Sequence, residues 1–158
     1  MPDVDETAPD FTAPLANGDV DSFTLSEALE DGPVVLAFFP GAFTSVCSHE
    51  MSAFSDRLNA FTDAGVRVYG VSVDSPFAQN AFRDELGINF DLISDDNNEL
   101  IDQYDVSMDF KALGVHNVAK RAVFVVDEDG DITYKWVSDD PGVEPNYDEV
   151  EDAARSVA

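Results

Sequence analysis

A chain of 158 residues with 33 Asp and Glu against 8 Lys and Arg, a formal net charge of −25, has the length of one domain and repels polyanions, which excludes nucleic-acid binding. Because 44% of the residues are hydrophobic and fall in periodic segments, the charge does not signal disorder. It reads as a halophilic surface, since the Debye length shrinks to roughly 3 Å at 1 M salt and most self-repulsion is then screened. No internal repeat, low-complexity tract, apolar run of membrane length or basic-then-apolar start is present, so the expectation is a single cytoplasmic domain over residues 1–158. A lone cysteine, Cys47, agrees with that location, because small secreted domains more often carry an even disulfide framework.

Residues 1–33 read as a polar arm with extended pieces around Phe11 and Phe23, turning at Asn17-Gly18. The run Val34-Val35-Leu36-Ala37-Phe38-Phe39 is short, continuous and rich in β-branched and aromatic residues, as in a central strand covered on both faces, and Pro40-Gly41 ends it. From Ser45 to about Asp63, Met51, Phe54, Leu58 and Phe61 recur at helical spacing, with Gly65 as the stop. Residues 66–73 predict a second strand, and the strand–helix alternation makes it parallel to the first. Ser75-Pro76 combines a cap with proline at the first helical position, opening a helix through Leu86 that stops at Gly87. Phe90–Ile93 reads as a brief strand, and Asp95 or Asp96 as the cap of a helix bearing Leu100, Ile101 and Tyr104. Residues 105–120 are ambiguous. Arg121–Val126, a turn over 127–130 and Ile132–Val137 form an antiparallel hairpin, and 146–157 a closing helix. The order implies an α/β sandwich, a central mixed β-sheet with helices on both faces.

Cys47 falls in the first turn of the helix that follows the central strand. Unpaired backbone N–H groups and the positive end of the helix dipole favour the thiolate, the reactive form. A buried cysteine would gain nothing from this address. Thr44, three residues earlier, can aim its hydroxyl at whatever Cys47 attacks, and Pro40, which has no N–H, can wall off one side of the pocket.

The segment Phe38-Phe39-Pro40-Gly41-Ala42-Phe43-Thr44 with Cys47 resembles the active-site motif of the peroxiredoxins, thiol peroxidases on a thioredoxin-like fold. The resemblance covers nearly the whole chain. Ala8-Pro9-Asp10-Phe11 with Asn17-Gly18 looks like the family's N-terminal hairpin, and Arg121–Asp127 followed by Gly130 like its later strand and turn. With one cysteine and Glu50 three positions after it, the chain is most similar to the one-cysteine group resembling alkyl hydroperoxide reductase E.

The resemblance implies reduction of hydrogen peroxide or organic hydroperoxides, without cofactor or metal, by attack of Cys47 on one peroxide oxygen. Backbone N–H groups from Gly41 to Cys47 and the Thr44 hydroxyl would hold the peroxide oxygens. Arg121 alone reads as a charge at the mouth of a strand, more often solvated than catalytic. The resemblance makes it the cation that favours the thiolate. Glu50 lies on roughly the same helical face as Cys47 and alone would oppose the thiolate; paired with Arg121 it would hold the guanidinium through two hydrogen bonds, the other reading being a solvated acid. No second cysteine can resolve the sulfenic acid, so an external thiol, small or on a thioredoxin-like protein, must reduce it. The group's habit implies a homodimer.

Other readings are weaker. His49, two positions from Cys47, points elsewhere on a helix and reads as structural or solvated. A Cys47–His116 hydrolase pair leaves the strand and the Pro/Thr spacing unexplained. Asp127-Glu128-Asp129-Gly130-Asp131 lacks the glutamate of a calcium loop and suits a turn. The rival of another class is a non-enzymatic thioredoxin-fold module, a peroxide sensor or holdase whose Cys47 is sensory or structural.

Overall fold

The computed structural model describes residues 2–42, 45–110 and 114–157, with 45, 46 and 110 in backbone only. The apolar run after Pro33 becomes β3 (Val34–Phe38), and each of its residues is buried. Alternation sends Val35, Ala37 and Phe39 into one core and Val34, Leu36 and Phe38 into the other, which is why the run shows no polar face.

Around β3 the described residues form a seven-stranded mixed sheet. The N-terminal hairpin of β1 (Thr12–Ala16) and β2 (Val20–Thr24) closes one edge, with β1 antiparallel to β5 (Leu92–Ser94). Next come β4 (Arg67–Ser72), parallel to both β5 and β3, and then β8 (Arg121–Val126), antiparallel to β3, with β9 (Ile132–Ser138) on the far edge. Residues 105–120, ambiguous in sequence, hold a separate antiparallel ribbon of β6 (Ser107–Phe110) and β7 (Val115–Ala119). Its register shifts between Met108 and Phe110, an irregularity that spoils the two-residue alternation by which a strand is recognised.

Helices cover both faces. The short α1 (Leu25–Ala28) and α5 (Glu99–Gln103), with the ribbon, pack on the side of Leu36 and Phe38. On the side of Ala37 and Phe39 lie α2 (Ser45–Asp56), α3 (Leu58–Asp63), α4 (Pro76–Leu86) and α6 (Tyr147–Ser156). The Ser75 side chain accepts the Ala78 N–H, and Gly87, at φ +65°, ends α4 in the left-handed conformation that glycine adopts without strain. Asp95 accepts the N–H groups of Leu100 and Ile101, so it does serve the start of α5, although Asn98 holds the cap position in the backbone.

The helix expected from Ser45 to Asp63 is two helices. The chain breaks at Arg57 (φ −97°, ψ 3°), where Ala60 N–H tightens onto the Arg57 carbonyl. The Arg57 side chain is drawn to α6, bonding Asp148 at 2.8 Å and Glu151 at 3.1 Å over the Tyr147 ring. Beneath α2, Gly70 of β4 lets the helix approach the sheet: a Cβ there would stand 3.1 Å from Met51 Sδ and 2.6 Å from Leu92 Cδ2. The fold thus sets the start of α2 over the C-terminal end of β3.

Candidate active site

Because β8 runs antiparallel to β3, with Phe38 opposite Ala122, the start of β8 lies beside the end of β3. Arg121 therefore enters beside the first turn of α2, and three side chains distant in sequence come together. Arg121 Nη2 donates to Cys47 Sγ at 3.1 Å and Nη1 to Glu50 Oε1 at 2.7 Å. The rest of the guanidinium is held by one backbone group, as Nε and Nη2 donate to the Pro141 carbonyl at 3.0 and 2.8 Å. Cys47 and Glu50 are 0% exposed and Arg121 1%.

The expectation of an accessible thiol at a helix N-terminus is corrected here: Cys47 is fully buried, packed in the core of Phe39, Met51 and Phe54. Burial does not leave the sulfur in a purely apolar setting, because the guanidinium donates a charge-assisted hydrogen bond to it. The solvated readings of Arg121 and Glu50 are corrected by the same geometry. Glu50 holds the guanidinium through one hydrogen bond, not two, and its Oε2 has no partner among the described residues. Burial, the largest influence on Glu50, outweighs the attraction of Arg121 and raises its pKa to about 7 from 4.5, with Glu144 adding repulsion. Burial also works against the charge of Arg121, but Glu50 and Cys47 together overcome it and hold its pKa above the ordinary value.

The Glu50 shift makes stability pH-dependent with a definite sign. Between about 4.5 and about 7 the folded state retains a proton on Glu50 that the unfolded state has released, so folding stability falls as pH rises through that window. A shift of this size corresponds to about 3 kcal/mol. Glu50→Gln, neutral at every pH, is expected to gain on the wild type by that order as urea melts are moved from pH 4.5 to 8. Parallel curves for the two proteins would mean that Glu50 titrates normally.

The loop between β3 and α2 is tied down at Ala42 from the end of β4. Asp74 Oδ2 accepts the Ala42 N–H at 2.7 Å and the Ser72 hydroxyl at 2.8 Å, while Gln79 Nε2 donates to Ser72 Oγ at 2.9 Å. The Ala42 N–H, expected among the groups that hold a peroxide oxygen, is thus already engaged. Pro40 is buried two residues past the end of β3, and Thr44 lies outside the described residues. Sequence reasoning missed Asp74 and the Pro141 carbonyl. A backbone acceptor has no residue-type signature, so only the turn dipeptide Pro141-Gly142 hinted at structure there.

His49 is exposed and its Nδ1 pairs with Glu144 Oε1 at 2.6 Å, which agrees with a structural or solvated reading. Glu144 also accepts from Tyr147 at 2.5 Å. Partial burial opposes the Glu144 charge, but these two hydrogen bonds and the nearby Arg121 leave its pKa below the usual carboxylate value. The pair fastens the loop between β9 and α6, the loop that supplies the Pro141 carbonyl. His116 sits on β7, near Asp109 at 3.4 Å, in the ribbon that packs on the opposite side of the sheet from Cys47. No Cys47–His116 pair is formed. Asp127 Oδ1 accepts the N–H groups of Asp129 and Asp131, so that carboxylate shapes the β8–β9 turn, and no cluster of metal-ligating side chains occurs among the described residues.

A buried cysteine in a first helical turn, bound by an arginine from the neighbouring strand of a thioredoxin-like sheet, defines a thiol-based oxidoreductase site. Comparison with known proteins agrees. The AhpC/TSA family model matches residues 4–135. A chloroplastic 2-cysteine peroxiredoxin of Chattonella marina var. antiqua is 37% identical over 143 residues, 85% of this chain and 70% of its own. The putative peroxiredoxin bcp of Coxiella burnetii is 33% identical over 135 residues, 85% and 87% of the two chains. The crystal structure of peroxidoxin BcpB from Mycobacterium tuberculosis matches with a TM-score of 0.86 at 28% identity, covering 100% of this chain and 99% of that one. The chain belongs to the AhpC/TSA family, the peroxiredoxins. It is a thiol-dependent peroxidase, and the one cysteine in its sequence fits a single peroxidatic sulfur.

Proposed function

We propose that this peroxidase uses Arg121, Glu50, Thr44 and Pro40 around Cys47 to reduce hydrogen peroxide and organic hydroperoxides. The observation that carries the assignment is the 3.1 Å contact from Arg121 Nη2 to Cys47 Sγ inside a buried site. The thiolate attacks one peroxide oxygen in line, the O–O bond breaks, and the second oxygen leaves as alkoxide or hydroxide. Arg121, held by Glu50 and the Pro141 carbonyl, supplies fixed positive charge where negative charge redistributes. Thr44 directs the peroxide with its hydroxyl, and Pro40 closes one wall of the pocket.

The external reductant is a small thiol or a thioredoxin-like protein. It forms a mixed disulfide with Cys47, and a second thiol releases the thiolate; without reductant, further peroxide carries the sulfur to the sulfinic acid. The enzyme acts as a homodimer in the cytoplasm of a cell with high internal salt; the charge of −25 supports the high-salt part of this reading. With a small thiol as donor in multimolar KCl, Cys47→Ser is expected to lose turnover of both peroxide types, and Thr44→Val to retain about 1–10% of it. Full turnover in Cys47→Ser would remove the sulfur from the mechanism, and full turnover in Thr44→Val would remove the hydroxyl.

A further inference from the structure

We propose that Glu50 is the proton store of the catalytic cycle: it is protonated while Cys47 is a thiolate, gives up its proton when the sulfur is oxidised, and recovers it when the sulfur is reduced. The inference rests on the peroxidase reading and adds to it a second ionisable partner for Cys47.

Charge and hydrogen bonding both point there. Cys47 and Glu50, the two groups able to become anions, touch one guanidinium at 3.1 and 2.7 Å, and all three side chains are withdrawn from water. Among the described residues, the titratable and charged groups around Glu50 are Arg121 from β8, Glu144 from the β9–α6 loop and Tyr147 from α6, with Cys47 of α2 sharing the guanidinium and His49 of α2 paired to Glu144. Of these, Arg121 is the buried cation. With thiolate and carboxylate both ionised, the site carries one uncompensated buried negative charge, which costs several kcal/mol. One proton on Glu50 removes it. Hydrogen bonding asks for the same proton: Oε1 is satisfied by Arg121, whereas buried Oε2 receives no donor among the described residues. An ionised carboxylate is acceptor-only and would be left half unsatisfied, while a protonated one carries its own O–H at the vacant oxygen. The elevated pKa of Glu50, about 7, agrees.

The store keeps the site's charge constant through the cycle. Cys47–S⁻, RO–OH and Glu50–COOH become Cys47–S–OH, ROH and Glu50–COO⁻. An S–O bond forms, the O–O bond breaks, sulfur loses two electrons to the peroxide, and the Glu50 proton ends on the departing alkoxide. A thiol R′SH then converts the sulfenic acid to the mixed disulfide with release of water. A second thiol R″SH frees Cys47–S⁻, leaves R′–S–S–R″, and returns its proton to Glu50. Before and after oxidation the guanidinium faces a single anion, first sulfur and then carboxylate.

The test is infrared difference spectroscopy of the reduced, full-length enzyme at neutral pH in multimolar KCl, before and after one equivalent of hydrogen peroxide, with intact mass recorded on the same sample. The expected result is a protonated-carboxyl carbonyl band in the reduced enzyme that disappears as one oxygen is added, and that is missing from Glu50→Gln. In the pH profile of the second-order peroxide rate, the wild type should decline on an alkaline limb while Glu50→Gln shows none and reacts about 100-fold more slowly at the wild-type optimum. A structural role for Glu50 would leave the limb in place. A reduced enzyme that gains one oxygen rapidly yet never shows the band overturns the proton store and leaves the peroxidatic site standing. A protein whose Cys47 gains no oxygen overturns the peroxidatic assignment and the proton store with it.

Discussion

Replacing Arg121 by alanine is expected to slow the oxidation of Cys47 by hydrogen peroxide about 100- to 1000-fold, the range seen when a preorganised donor is removed from a site of developing charge. The guanidinium is the point at which the site is assembled: it bonds Cys47 Sγ, Glu50 Oε1 and the Pro141 carbonyl at once. Without it, the sulfur keeps the helix terminus but loses the charged donor that Arg121 supplies. Stability should suffer less than the loss of a buried ion pair usually implies, because Glu50, with a pKa already raised to about 7, escapes an unpaired charge by binding a proton. Arg121→Lys separates charge from geometry. An ammonium on a flexible stem supplies the charge but cannot present the planar fork that reaches all three acceptors, so an intermediate loss of about 10-fold is expected. Competition kinetics on protein shown to be folded reads both variants. A wild-type rate in Arg121→Ala would refute the electrostatic assignment.

The second large effect is salt. The melting temperature should rise by about 10 °C between 0.05 and 3 M KCl, because a few kcal/mol of relieved repulsion moves a domain of this size by roughly 3 °C per kcal/mol. Among the described residues the basic side chains are already spent locally: Arg57, Arg67, Arg83, Lys120, Arg121 and Arg155 each pair with a carboxylate, and Lys135 donates to the Pro2 carbonyl. The remaining acids have no cation among these to neutralise them, and only dissolved salt can screen them. Equal stability at both ends of the series would mean that the acidic surface is tolerated rather than adapted.

What was legible in the sequence was what local physics decides. β3 is announced by an unbroken apolar run because both its faces are buried. Helix α4 is announced by Ser75, Pro76 and Gly87, each acting within its own few residues. Cys47 was placed correctly in the first turn of α2 for the same reason. The β6–β7 ribbon was not legible, because its register shift breaks the alternation, and the division of α2 from α3 was not, because the residue at the break, Arg57, is held by acids on α6 some 90 residues away in sequence. In the site, Cys47, Glu50 and Arg121 stood out as residue types, with the family resemblance choosing the arginine. Their mutual distances, the burial of the thiol, the Pro141 carbonyl and the Asp74 tie to Ala42 all depend on how β3, β4, β8 and the β9–α6 loop meet.

The central claim, that Cys47 is a peroxidatic sulfur activated by Arg121, is tested most directly by the second-order rate at which the reduced protein consumes hydrogen peroxide in multimolar KCl, with intact mass counting the oxygens added. A rate several orders of magnitude above that of a free thiolate, with a single oxygen added first, is the expected result. The rate of an ordinary thiol, in protein whose fold is intact, would contradict it.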